Sequence, residues 1–120
     1  MSKSEPVEKY LPLTESTYYI LIALAEPLHG YGVMQKVETI SAGTVKLGPG
    51  TLYGAFTTLE KEGLIVKVGE EERRKSYKLT IKGKNVLIEQ IRRLEIMTRN
   101  GLVFQEKLLE STISKEVQNG

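Results

Sequence analysis

The stretch Gly50-Thr51-Leu52-Tyr53-Gly54-Ala55-Phe56-Thr57-Thr58-Leu59-Glu60-Lys61-Glu62-Gly63-Leu64-Ile65 reads as one amphipathic helix that stops at a glycine and runs into a strand. Leu52, Phe56 and Leu59 recur at i, i+4 and i+7, which puts them on one buried stripe. Thr51, Tyr53, Gly54, Thr57 and Thr58 cover much of the remaining surface, and none of them carries a charge. A merely solvated helix would more usually show Lys and Glu there. Hydroxyls, an aromatic ring and a glycine suit close approach to another polar surface. The pattern is that of a recognition helix feeding a wing.

Upstream, residues 1–12 with Pro6 and Pro12 read as a flexible arm. Thr14 is a suitable N-cap for a first helix through about Glu26, which Pro27 ends. Tyr18, Leu21, Ile22 and Ala25 form its apolar stripe. Ile20 and Leu24 widen that stripe until two sides call for cover, so Tyr18 is a candidate contact with a partner chain. A turn, Pro27-Leu28-His29-Gly30, precedes a second helix of about Tyr31 to Ile40, with Val33, Met34 and Val37 facing inward. Ser41-Ala42-Gly43 stops it, and Pro49 fits the first turn of the third helix without losing a hydrogen bond.

Downstream of Gly63 the period changes to two. Val66 and Val68 alternate with Lys67, and Tyr77 and Leu79 alternate with Ser76 and Lys78, which predicts a hairpin. Its tip, Gly69 to Lys75, is glycine-led and charged, so it is expected to be mobile and solvent-facing. Thr80 caps a long final helix in which Leu87, Ile91 and Leu94 share a stripe, continued by Met97 and beyond. The three helices and the hairpin already make a compact unit, so this stripe is expected to bury itself against a second copy. Asn100-Gly101 is the expected site of a kink or break, and residues 114–120 are expected to fray. The expected layout is an arm over 1–12, a winged unit over 13–80, a dimerisation helix over 81–113 and a tail.

A length of 120 residues with 40% apolar content suits one domain. The absence of cysteine removes disulfides and thiolate chemistry, and the longest apolar run, Tyr18 to Ala25, is too short to span a membrane. A cytoplasmic soluble protein is expected. The net charge of +2 is unevenly spread: residues 64–85 hold seven basic and three acidic side chains, whereas residues 13–63 hold three and five. A basic segment beside a candidate recognition helix is the footprint of a phosphate-backbone contact.

Leu13 to Ala25 followed by Leu28-His29-Gly30-Tyr31-Gly32, then Gly50-Thr51-Leu52-Tyr53, Leu59-Glu60, Gly63-Leu64-Ile65, Tyr77-Lys78-Leu79-Thr80 and Lys82-Gly83, resemble the PadR family of bacterial transcriptional regulators. The resemblance spans roughly residues 13–85. It implies a winged helix-turn-helix domain with a C-terminal dimerisation helix, acting as a repressor that responds to small aromatic or hydrophobic compounds. Many members have proline directly after the tyrosine of the recognition helix, where this chain has Gly54. Some drug-binding members use an interface tryptophan. This chain has no Trp, so that mode of effector binding does not carry over.

The expected fold is thus mainly α with a small β-hairpin, in the order ααα-β-β-α. The expected activity is sequence-specific binding of double-stranded DNA as a homodimer on a pseudo-palindromic operator, with release by a small hydrophobic effector. The candidate DNA-binding residues are Thr51, Tyr53, Gly54, Thr57, Thr58, Lys61, Arg73, Arg74 and Lys75, and the candidate dimer residues are Tyr18, Leu87, Ile91, Leu94 and Met97. Glu70, Glu71 and Glu72 weigh against the wing as a phosphate contact. His29 stands alone in its turn with no second ligand or nucleophile, so no metal, cofactor or enzymatic role is expected. The competing reading is a winged-helix module that docks another protein, with the third helix or the hairpin as its surface.

Overall fold

The chain begins with a turn of 3-10 helix at Val7–Tyr10, followed by α1 (Glu15–Ala23), β1 (Leu28–His29), α2 (Gly30–Ile40), α3 (Pro49–Lys61), β2 (Ile65–Glu71), β3 (Arg74–Leu79) and α4 (Ile81–Asn119). This computed structural model describes the backbone of residues 6–119 and the side chains of residues 6–113. Residues 1–5 of the expected arm and the side chains of the expected tail, 114–120, lie outside the described residues. The chain divides into two units, residues 1–90 and 91–120. The α+β class is as expected. The order gains one strand, because Leu28–His29 pairs antiparallel with β3 and makes a three-stranded sheet in the order β1-β3-β2.

In the first unit, Thr14 caps α1, its side chain accepting the Thr17 N–H at 3.1 Å. Ile20, Leu21, Ala23 and Leu24 are all buried, so the helix is covered on more than one side. It ends at Ala23 and not near Glu26. Leu79 of β3 donates its N–H to the Leu24 carbonyl at 3.1 Å, which draws the chain end into the sheet, and Pro27 disfavours helical backbone at Glu26. His29 is the N-cap of α2, its Nδ1 accepting the Gly32 N–H at 3.2 Å, so the helix starts at Gly30. Val33 and Val37 are buried while Met34 is half-buried. Ser41 closes the α2–α3 link, its buried Oγ accepting the Val45 N–H at 3.1 Å.

Leu52, Phe56 and Leu59 of α3 are buried on the expected stripe. Gly63 ends the helix with a positive φ of 76° that a side chain would strain, and Leu64 N–H returns to the Leu59 carbonyl at 2.9 Å. In the hairpin, Ile65 pairs with Leu79 and Lys67 with Tyr77. Directly paired residues share a face, so the inner face of β2 carries Ile65 and Lys67. Val66 and Val68 are exposed, opposite to what their alternation with Lys67 invites. The tip also differs from the expected mobile loop. Both strands continue to a tight turn at Glu72-Arg73, whose φ values of 49° and 69° are those of a type I′ hairpin turn.

Within residues 7–12, expected as part of a flexible arm, Val7, Tyr10 and Leu11 are half-buried while Glu8, Lys9 and Pro12 are exposed, and Lys82 Nζ stands 4.7 Å from the centre of the Tyr10 ring. Leu13 N–H is held by Gln90 Oε1 at 2.6 Å. The start of α4 is part of this unit as well. Thr80 Oγ1 donates to the Gly63 carbonyl at 2.6 Å and accepts the Gly83 N–H at 3.0 Å. A Cβ at Gly83 would run into the Leu64 carbonyl, so glycine is required by the close approach of the two backbones. Val86, Leu87 and Gln90 are buried. The expectation that this helix has nothing of its own to cover is corrected over these residues. Leu87, at 7% exposed, has almost no surface left for a partner.

The second unit is the remainder of α4. It is helical through Asn100-Gly101, so the expected break is absent. Ile91 and Leu94 are half-buried, whereas Met97, Leu102, Phe104, Leu108 and Leu109 are exposed. Met97 and Phe104 are seven residues apart and Leu108 four further on, a spacing that aligns them along one side of the helix. No described helix is long and apolar enough to cross a membrane.

Candidate nucleic-acid interface

Three aromatic rings set the distance between α3 and the wing. Phe56 is buried between Tyr53 on its own helix, 6.0 Å away and edge-on at 85°, and Tyr77 of β3, 4.8 Å away and tilted by 44°. Burial pushes the Tyr77 phenol above its usual range, and the Glu60 and Glu70 carboxylates push it the same way, so the ring stays neutral where it packs. Above this aromatic floor lies an open cleft of about 420 Å³. It is walled by Tyr53 and Thr57 of α3, by His29, Gly30 and Tyr31 at the start of α2, and by Arg73, Arg74 and Lys75 of the wing.

Arg73, Arg74 and Lys75 line the cleft facing α3, and no glutamate does. Glu70, Glu71 and Glu72 line a different cleft of about 470 Å³, together with His29, Gly69, Arg74 and Ser76. Strand register does not separate them, since Glu71 is directly cross-strand from Arg74 and Glu70 from Lys75 and each pair shares a face, while Arg73 sits in the turn. The acids that weigh against phosphate contact in the sequence border the second cleft and not the α3-facing one, and Arg74 borders both. A wall of cations beside a polar helix face suits a phosphate backbone.

The candidate residues do not form one cluster. Tyr53, Thr57, Arg73, Arg74 and Lys75 meet in the first cleft. Gly54 and Thr58 open toward the N-terminal segment, in a cleft of about 350 Å³ lined also by Tyr10, Pro12 and Thr17. Lys61 shares a broad groove with Lys9, Tyr10, Thr58 and Lys82. Thr51 is exposed near the start of α3 and borders none of these clefts. The Thr57 hydroxyl donates to the Tyr53 carbonyl at 3.0 Å, which leaves its lone pairs and methyl group for an outside contact. Two residues of the cleft escaped the sequence reading. Tyr31 is 56% exposed beside the wing cations, and His29 is at once a strand residue, a helix cap and a cleft wall. A tyrosine two residues past the cap of α2 was the available signal for the first, but helical periodicity alone ranks Tyr31 as a solvated position.

Among the described residues no group of His, Cys, Asp and Glu is placed to hold a metal ion. Residues 20–89, more than half of the chain, match the family described as the transcriptional regulator PadR-like family. Among solved structures, a PadR-like transcription factor from Bacteroides fragilis is similar with a TM-score of 0.61 and 28% identity, over 71% of this chain and 84% of that one. The smu.1704 protein of Streptococcus mutans UA159 is similar with a TM-score of 0.59 and 29% identity, over 78% and 92%. An uncharacterized 37.1 kDa protein in transposon TN4556 of Streptomyces fradiae is 41% identical over 69 residues; the match takes in 57% of this chain and only 19% of that protein's length. The order of the helices, the three-stranded sheet and the match over residues 20–89 agree: the chain belongs to the PadR-like family of transcriptional regulators.

Proposed function

We propose that this protein is a sequence-specific DNA-binding repressor that acts in the cytoplasm as a homodimer on a pseudo-palindromic operator. The observation that carries the reading is the cleft in which an uncharged helix face, Tyr53 and Thr57, meets three wing cations and no acid lines the wall. In this reading α3 enters the major groove, where Thr57 and Thr51 offer hydroxyls and methyl groups to base edges, while Arg73, Arg74 and Lys75 hold the neighbouring backbone. Two copies place their α3 helices in major grooves one turn of DNA apart, roughly 34–36 Å. The exposed apolar side of α4 supports the dimer. Repression and release by a small hydrophobic effector follow from family resemblance. An effector acts by binding one conformation of the dimer better than another.

Selection of bound sequences from a random pool of duplex DNA tests this directly. The expected result is a palindromic consensus with half-sites one helical turn apart. Retention on heparin that does not depend on salt, with no enriched sequence, would overturn the reading in favour of a protein-docking module. The two sides of α3 should also separate by mutation. Phe56→Ala should cost roughly 3–5 kcal/mol of stability, because a buried ring between two others is lost. Thr57→Ala, on the exposed side, should stay within about 0.5 kcal/mol in a denaturant titration while weakening binding to the selected operator.

A further inference from the structure

Gly30 opens α2 and is buried, and its φ is not in the left-handed region, so the backbone there does not require glycine. What requires it is a neighbour. A Cβ on Gly30 would stand 2.6 Å from the Tyr53 hydroxyl oxygen, 3.0 Å from Cζ and 3.1 Å from Cε1. The Tyr53 ring therefore rests against the first turn of α2, with its edge-on contact to Phe56 on the other side. These atoms are the far end of a side chain that is 53% exposed, so a methyl group at position 30 would displace the ring before it moved any backbone.

We propose that Gly30 is a positioning residue for DNA binding: its missing side chain is the seat that holds the Tyr53 hydroxyl in the cleft beside the wing cations. This rests on the reading of that cleft as a DNA interface. Seated, the hydroxyl is held where a phosphate between α3 and the wing can accept its proton, without the entropic cost of ordering an exposed ring on binding. Unseated, the ring projects from α3 and holds the helix away from the groove. The α2 helix itself gains nothing from glycine. Alanine in a helical turn lowers the entropy of the unfolded chain and is neutral or stabilising where it fits.

The test is a double-mutant cycle with Gly30→Ala and Tyr53→Ala, read by anisotropy on a labelled mixed-sequence duplex and by thermal melting. Gly30→Ala should weaken binding roughly tenfold, about the value of one hydrogen bond to a charged group, and Tyr53→Ala should do the same. In the double variant the losses should not add, because the seat has no role once the ring is gone. If the methyl group lowers the melting temperature, removal of the ring in the double variant should restore it. Additive losses, unchanged affinity in Gly30→Ala, or a melting temperature that the double variant fails to restore would each overturn the proposal. In the free protein, the Gly30 Hα resonances should change position in Tyr53→Ala, because the ring stands beside them. No such change would overturn the seat without reference to DNA. A protein in which Tyr53→Ala moves these resonances but whose wild type binds no duplex would overturn both the role of Gly30 in binding and the DNA reading.

Discussion

The double substitution Met97→Glu with Phe104→Glu should convert the protein from a dimer to a monomer at micromolar concentration and reduce operator affinity by about two to four orders of magnitude. The affinity loss is the avidity that one reading head forfeits when the other is no longer tethered to it. Both side chains are exposed, at 65% and 59%, so a carboxylate at either position costs the isolated chain little. Across a symmetric seam each substitution acts twice, and four carboxylates would lie in an apolar interface where burying even one is costly. Leu87 is a poor position for this experiment despite its place on the same stripe. It is buried in the winged unit, and a charge there would unfold the head that the experiment needs intact. Light scattering should give the mass, and circular dichroism should show an unchanged helical signal. A wild-type protein that is monomeric at this concentration, or a double variant that stays dimeric and binds normally, would exclude the α4 seam.

Why Leu87 misleads, while Leu52, Phe56 and Leu59 do not, is a question of what periodicity can report. A stripe at helical spacing says that one face is apolar and is silent on what covers it. For α3 the cover is its own sheet and neighbours, so the stripe and the core coincide. For α4 the first three turns pack on the winged unit through Val86, Leu87 and Gln90, and the pattern gives no mark of where that packing ends. Caps were legible where a side chain with strong capping preference stands before an apolar run, as at Thr14, and where glycine takes positive φ, as at Gly63. His29 as a cap was not, since imidazole is an uncommon capping group. Nor was β1, because two residues carry no period. The wing tip hid its turn for a related reason. A type I′ turn usually announces itself with Asn-Gly or Asp-Gly, and here Glu72 and Arg73 accept left-handed backbone instead. The candidate DNA contacts were legible as residue types. Their grouping was not, because the folded course of the hairpin decides which cleft each charge borders.

Replacing Arg73 and Arg74 by alanine should reduce the slope of log affinity against log salt by about 2, since each phosphate contact on duplex DNA contributes about 0.9. At about 0.1 M salt that corresponds to a loss of roughly tenfold per contact, and on the order of 60-fold for the pair, shared by all DNA sequences. Sequence preference should survive, because the side chains proposed to meet base edges are on α3. The converse substitution discriminates more sharply. Glu70, Glu71 and Glu72 border the second cleft and not the α3-facing one, so Glu71→Gln should leave the slope nearly unchanged while strengthening binding only through long-range charge, an effect that salt screens within about 10 Å at 0.1 M. Were the glutamates instead neutralising the cations in place, Glu71→Gln would free Arg74 and raise the slope by close to one contact. A wing in which both variants leave the slope untouched would be a solvated loop. The phosphate contacts would then have to come from the other flank of α3, where Lys61 lies in a groove with Lys9 and Lys82.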